Sequence, residues 1–465
     1  MFAQARDSLN IVLSLSSYQQ VIQGNLRKKQ DAIMSGQADS QTKADALIQA
    51  MTIEEKASLV TGHRMWKTHQ IDRLGLRSIV MTDGTHGVRY SIPQIDQDQE
   101  AGQDFETFLA AVNRKANEVE IAWGTMKPAT CFPNGASIAC SWDTSLAFEL
   151  GAALGVECRS LGIDLLLGPG VNIRRTPLGG RVYEYFSEDP LLTGDLAAGV
   201  INGLQSRGVG SSIKHFACNN NEVERTTMNI VVDDRALREI YLLGYQRAIS
   251  KSKPWTVMSS YNRLNGVQAA EDPWLLNKVL REDWGFTGLV MSDWHGIKDR
   301  PAALVAGGDL DMPESQTRHQ QLLTAMQTGQ IPMEAVDKSC QRVIELVRKC
   351  EAGKAISVPA FDQGAHHQLA RRMAGESNVL LKNNGNLLPL KPGSAKTIAA
   401  IGQGAVEAVI QGSGCATTAP TQVDVPLDEI RKLAGPTQVH HYQGMGSEEA
   451  LEQAVEGARE ADVAV

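Results

Sequence analysis

In the string MSDWHG, residues 291–296, a carboxylate and an indole stand side by side. The preceding GFTGLV, residues 285–290, reads as a turn followed by a buried strand. A strand that ends on Ser292, Asp293 and Trp294 carries the acid out of the core onto a rim, next to a flat apolar surface. That pairing suits a sugar, which needs an acidic group at its anomeric carbon and an apolar face against its ring. Asp is also a common helix N-cap, so this string alone leaves two readings balanced. Other polar groups tip the balance. Asp83 lies in MTDGTHGVR with Arg89 six residues on, and Arg181 and Glu184 lie in TPLGGRVYEYFSEDP. Lys214 and His215 end SSIKHF, Arg225 follows in NNNEVERTT, and Met258 and Tyr261 belong to VMSSYN. Converging on one rim, these groups suit an uncharged polyhydroxyl ligand. Asp83 would accept bonds from two hydroxyls while Lys214 and His215 donate to others, and charge-assisted bonds are roughly twice as strong as neutral ones.

The elements that must position these groups are short. Candidate strands fall at 78–82, 164–167, 211–214, 256–259 and 289–292, with amphipathic stretches at 146–161, 234–248 and 273–282 between them. Thr52-Ile53-Glu54-Glu55 reads as a capping box opening a helix. Strands alternating with helices argue for a parallel sheet wrapped by helices. Spread over roughly 310 residues, the pattern predicts a (β/α)8 barrel, whose sites collect where the strands end; an open doubly wound sheet is the alternative. The interval 91–127 reads as a long βα loop or inserted helix. The expected division is an extension over 1–40, the barrel over 41–355, a linker over 356–375 and an incomplete α/β sandwich domain over 376–465. Strands of that second domain are expected at 379–385 and 397–402. The final ADVAV reads as a core strand cut short, which predicts a truncated chain.

Composition narrows the class. With 465 residues, 42% hydrophobic, the chain has material for more than one domain. A formal net charge of −8 gives no general attraction to nucleic acid or anionic lipid. No stretch of about 18 apolar residues predicts a membrane span, and no signal peptide is read. The seven cysteines are scattered without a CxxC pair, which fits reduced thiols in the cytoplasm and neither zinc nor disulfides. Gly402-Gln403-Gly404 lacks the third glycine of a dinucleotide fingerprint. His366-His367 and His440-His441 lack ligands at metal spacing and read as solvated. No metal and no cofactor is expected. Trp66, Trp142 and Trp284 read as packing residues, and Asp309 and Asp311 as holders of a late loop. The oligomeric state is not legible in the sequence.

Nine strings together resemble the β-glucosidases of glycoside hydrolase family 3: LIQAMTIEEKASLVTG, TDGTHGVR, ATCFPNGASIACSWD, PLGGRVYEYFSEDP, IKHFACNNNE, DDRALREIYL, VMSSYNRLNG, VLREDWGFTGLVMSDWHG and GGDLDMP. The family usually has Pro where Thr85 stands, a change that loosens the loop without removing a ligand. The resemblance implies a catalytic barrel followed by the start of an α/β sandwich. It implies Asp293 as nucleophile, with Asp83, Arg89, Arg181, Lys214, His215, Arg225 and Tyr261 lining the first sugar subsite. Met258 and Trp294 would flank that subsite, Trp294 toward the leaving group. The implied chemistry is retaining hydrolysis of a terminal β-glucosyl residue from a β-glucoside or oligosaccharide. Such chemistry pairs the nucleophile with a second carboxyl about 5–5.5 Å away. Lys214 and Arg181 are expected to keep the Asp293 pKa low, and Tyr261 to steady Asp293 or the ring oxygen. One branch of the family, acting on N-acetylglucosaminides, uses the His of KHFPGHG; the segment here is KHFACNNNE. In β-glucosidases the acid is a Glu shortly after a strand resembling ADVAV, so it is expected beyond Val465. β-Xylosidase or α-L-arabinosidase activity is the nearest variant, and a non-catalytic sugar-binding relative the reading from another class.

Overall fold

The computed structural model of the chain describes residues 42–100, 124–412 and 414–465. The 1–40 extension and positions 101–123 of the 91–127 interval lie outside the described residues. Helix α1 spans 42–50 and leads into α2, Ile53–Leu59, which opens on the expected capping box. Thr52 Oγ1 accepts from the Glu55 N–H at 3.2 Å, and Glu55 Oε2 from the Thr52 N–H at 2.9 Å. A hairpin follows, β1 (Gly62–His63) and β2 (Lys67–Thr68), then β3 (Met81–Asp83). Helix α3 (Thr144–Leu161) precedes β4 (Leu165–Leu167), and α4 (Pro190–Ser206) precedes β5 (Gly210–Phe216). Helix α5 (Leu243–Ser252) precedes β6 (Thr256–Ser259), and a π-helical segment, Trp274–Asp283, precedes β7 (Leu289–Met291).

Strands β3-β4-β5-β6-β7 pair in that order, all parallel. Three bridges then close the ring. Met291 meets Leu310, Asp311 meets Thr61 just before β1, and Lys67 of β2 meets Val80 just before β3. Among the described residues eight segments circle the core, and β2 alone runs against its neighbours. The link from β1 to β2 is too short for a crossover helix, so these two pair antiparallel. Strict βα alternation yields there, while the barrel remains. All seven positions of β5 are buried, as expected of a strand with core on one face and helices on the other.

The helices hold the strands at a fixed distance. Asp143 caps α3 by accepting from the Ser145 and Leu146 N–H groups, and Gly162, at φ 76°, ends it. Its buried Leu146, Leu150, Leu154 and Cys158 recur every four residues and form one face. Helix α4 packs closely there: a Cβ on Gly151 would lie 2.0 Å from the Val200 carbonyl oxygen, and one on Gly203 would lie 2.2 Å from that of Phe148. Alanine at either position would force the helices, and the strands behind them, apart.

Helix α6 (Met333–Lys354) completes the outer layer, and α7 (Gln363–Glu376) leads to a second sheet. That sheet uses β8 (Thr397–Ile401), β9 (Gln438–Tyr442) after helix α8 (Pro426–Ala434), and β10 (Val463–Ala464) after helix α9 (Glu448–Glu460). Its order is β9-β8-β10, all parallel. The strand expected at 379–385 is instead irregular, with a 3₁₀ turn at Asn384–Asn386 and Gly385 at φ 71°. A strand needs a ladder partner, and none of the pairings among the described residues reaches this segment. The glycines after β8 sit at a tight turn, Gln403–Ala405.

Some single-residue expectations change, those for His366, His367 and Trp142, while those for Trp284, Asp309 and Asp311 hold. His366 and His367 are not solvated: His366 Nδ1 lies 2.6 Å from Glu157 Oε1 on α3, and His367 Nε2 lies 3.1 Å from Asp424. They are held because α7 lies between the barrel and the second sheet. Trp142 does not pack inside; it is 77% exposed. Trp284 packs edge-on to Phe216 at 5.8 Å. Asp309 is buried between Arg281 and Arg342, each at 2.7 Å, and Asp311 pairs with Arg318 at 2.7 Å. A seam joins barrel to second unit: the Ala129 N–H donates to the Ala419 oxygen at 2.9 Å, and the Thr421 N–H to the Ala129 oxygen at 3.0 Å. Thr418 Oγ1 donates to the Gly87 oxygen at 3.1 Å. No described helix is long and apolar enough to cross a membrane.

Candidate active site

The parallel strands deliver their polar groups to one end of the barrel. Asp83 is the last residue of β3, Lys214 and His215 fall near the end of β5, and Met258 lies in β6. Tyr261 and Asp293 each follow their strand by two residues, and loops after β4 and β5 supply Arg181 and Arg225. With Trp66 and Trp294 they line a narrow pocket. Arg89, the remaining residue singled out from sequence, sits behind Asp83 instead of on the wall. Larger open grooves exist, such as one between α3 and α4 lined by Ser145, Phe148, Asp195 and Asn202, but no comparable set of groups converges on them.

One end of the pocket is a fully paired clamp. Asp83 Oδ1 accepts from Lys214 Nζ at 2.8 Å, and its Oδ2 from Arg89 Nη2 at 2.9 Å. Burial alone would push the Asp83 carboxyl up; Lys214 and Arg89 overcome that and hold it below the ordinary carboxylate value. The Arg89 guanidinium stacks over the Trp66 ring, 4.9 Å from its centroid.

The opposite end differs. Asp293 Oδ1 accepts from the Trp294 N–H at 2.8 Å, but the buried Oδ2 accepts no hydrogen bond from the protein. Its nearest basic partner is His215 Nε2, at 3.6 Å. The expectation of a low Asp293 pKa is therefore corrected. Burial raises it, and Arg181, Arg225 and Lys214 pull it only part of the way back. Burial, reinforced by Arg181, Lys214 and Arg225, holds His215 well below the usual histidine value, hence neutral. Its orientation is fixed from behind: the His215 carbonyl accepts from Asn172 and Tyr245, and Nδ1 meets Tyr185 Oη at 3.3 Å.

The aromatic wall consists of Trp66 and Trp294, with ring centroids 4.9 Å apart. Trp294 Nε1 donates to the Met65 carbonyl at 2.9 Å and Trp66 Nε1 to Gln94 at 2.8 Å, so neither ring is free to rotate. Trp66 was read as packing from sequence, and nothing in GHRMWKTHQ separates a pocket tryptophan from a core one. Tyr261 lies under the Arg225 guanidinium at 4.9 Å. Arg225 Nη1 in turn donates to Glu222 at 3.1 Å, and Arg181 Nε donates to Glu184.

A carboxylate with an unbonded oxygen, an aromatic wall and a charged hydroxyl clamp in one enclosed pocket match a glycoside site. The model of the glycosyl hydrolase family 3 N-terminal domain matches residues 114–346, and that of its C-terminal domain matches residues 378–465. The chain belongs to glycoside hydrolase family 3. It is 41% identical over 427 residues to the thermostable beta-glucosidase B of Acetivibrio thermocellus, covering 90% of this chain and 53% of that protein. It is 40% identical over 390 residues to an exo-alpha-(1->6)-L-arabinopyranosidase of Bifidobacterium longum, covering 82% of this chain and 48% of that one. Among solved structures it resembles the family 3 beta-glucosidase of Bifidobacterium adolescentis, with TM-score 0.76 and 38% identity, covering 90% of this chain and 57% of that chain. The glucose complex of beta-glucosidase 3B from Thermotoga neapolitana gives TM-score 0.73 at 32% identity, covering 90% and 56%. The chain thus spans about half the length of the curated relatives it matches.

Proposed function

We propose that this family 3 protein is a retaining, exo-acting β-glucosidase in which Asp293 attacks the anomeric carbon of a terminal β-D-glucosyl residue. The observation that carries the reading is the buried, unbonded Oδ2 of Asp293, a residue that lines the pocket together with Asp83, Trp66 and Trp294. In the first step an Asp293 oxygen forms a bond to the anomeric carbon while the glycosidic bond breaks; in the second, water displaces the aspartate, so configuration is retained. Asp83, held ionised, accepts hydrogen bonds from sugar hydroxyls, and Lys214 donates to them. Trp294 and Trp66 cover the leaving-group side. A cytoplasmic location completes the proposal, on the support of the cysteine pattern.

Among the described residues only two carboxylates line the pocket, and Asp83 is locked between two cations. It cannot deliver a proton, so the general acid is a carboxyl from outside this lining. General acid catalysis contributes about 10²–10⁴-fold. If that carboxyl lies beyond residue 465, residues 1–465 by themselves should act on aryl glucosides with good leaving groups and hardly on cellobiose, with azide restoring turnover as a β-glycosyl azide. Robust cellobiose hydrolysis by purified 1–465 would place the acid within the barrel. A 2-fluoro-glucoside should label Asp293, and a label on another carboxylate would remove it from the role. The identity to an exo-arabinopyranosidase favours one second reading, α-L-arabinosidase activity. A panel of aryl β-glucoside, β-xyloside and α-L-arabinopyranoside separates the two by kcat/KM, and binding without turnover of any would leave a sugar-binding protein.

A further inference from the structure

Four cations surround the two pocket carboxylates: Arg89 and Lys214 on Asp83, and Arg181 and Arg225 toward Asp293. Asp83 and Asp293 balance two of them. The other two each meet an acid one layer further out. Arg181 Nε donates to Glu184, and Arg225 Nη1 donates to Glu222 at 3.1 Å. We propose that Glu184 and Glu222 are positioning residues for the reaction at Asp293, each holding one arginine beside the nucleophile and cancelling its charge where positive charge must grow on the sugar. The proposal rests on the glycosidase reading above.

Two features separate these acids from ordinary structural ion pairs. Glu184 is buried, yet its Oε2 accepts no hydrogen bond from the protein. A buried carboxylate that leaves an oxygen unbonded weakens a fold, so its presence is better explained by its field than by its contacts. Glu222 is fixed from the other side, since its Oε1 accepts from Asn219 Nδ2 at 2.9 Å, and the anchored arginine then lies over the Tyr261 ring. Removing the charge of both glutamates shifts the balance around the pocket by two units toward positive. The transition state of glycoside cleavage is oxocarbenium-like, and a surplus of like charge beside it opposes its formation. The groups facing Asp293 would then be Arg181, Arg225, Lys214 and the neutral His215, with the charge of Glu184 and Glu222 gone from behind the arginines.

The test uses kcat/KM against pH for 2,4-dinitrophenyl β-glucoside, whose leaving group needs no acid, in Glu184→Gln and Glu222→Gln. Each should lower the plateau by about tenfold or more. Each should also move the acid limb to lower pH, by about one pH unit, because loss of a nearby negative charge makes Asp293 easier to ionise. Glu184→Asp, which keeps the charge, should leave the limb where it was. A merely structural role predicts lost activity and a lower Tm with an unmoved limb; that result, or a limb that rises, overturns the proposal. Should Glu184→Gln not fold, the half-buried Glu222→Gln decides alone by the same criterion. Wild-type protein that releases no 2,4-dinitrophenol from the aryl glucoside, even in a single turnover or with azide, would sink the hydrolase reading itself, a failure distinct from an unmoved limb.

Discussion

The two ends of the pocket treat a buried carboxylate in opposite ways. At the β3 end both oxygens of Asp83 are claimed by cations and the group is held ionised. At the β7 end Asp293 keeps one oxygen unbonded, and burial raises its pKa despite three cations nearby. Charge count alone does not explain this, since cations flank both. What differs is contact: direct hydrogen bonds at one end, charges acting over a distance at the other. A binding group gains from being saturated, while a nucleophile needs an oxygen left to react.

The largest effect expected from breaking this contrast is at the unsaturated end. Asp293→Ala should lower kcat by roughly 10⁴-fold or more while a glucoside still binds, since a nucleophile acts in the transition state. Single-turnover assays with calorimetry would check it, and lost binding with intact kcat would contradict it. Next in size is Asp83→Ala. It leaves Lys214 and Arg89 buried without their counter-ion, so kcat/KM should fall by roughly 10²–10³-fold and Tm by several degrees. A helix-cap role for Asp83 predicts about 1 kcal/mol of stability and near-normal kinetics. Kinetics and melting measured together separate the two.

The pH response sharpens the same contrast. Asp293 must be ionised to attack, and its value is raised, so kcat/KM should fail on acidification at a pH above the ordinary aspartate range. An acid limb within or below that range would contradict the raised value. The smallest effect is thermodynamic. Because the folded value of Asp293 lies above its unfolded one, its charged form costs stability at neutral pH. That cost disappears once pH falls below the unfolded value, where both states hold the proton. Asp293→Asn should therefore raise Tm by roughly 2 °C at neutral pH, with the gain shrinking toward acid pH. An unchanged or lower Tm at pH 7 would mean the carboxylate is better satisfied than its contacts indicate.

The strands at 256–259 and 289–292 were legible because they are short apolar runs bounded by turns, and the capping box at Thr52 because its residues are local. The residues of the rim were legible through their motifs, which place a polar side chain where each run ends. The raised pKa of Asp293 was not, because a list of nearby cations does not show whether they touch the group or only face it. Trp66 escaped because its pocket neighbour Trp294 is 228 residues away, and the histidines of α7 because their partners Glu157 and Asp424 are 209 and 57 residues away. The 379–385 segment has the composition of a strand, but composition does not supply a ladder partner.

The seam at Ala129 bears on recombination among relatives. Thr418 of the second unit holds the carbonyl of Gly87, between Asp83 and Arg89, and a Cβ on Gly87 would lie 2.6 Å from its Oγ1. A hybrid joined in the linker would pair one parent's clamp loop with the other's 410–421 segment, so parents must match at both ends of that contact or the barrel inherits a misaligned clamp. The useful crossover unit therefore includes 410–421 together with the barrel it touches, although dozens of residues separate the two in the gene.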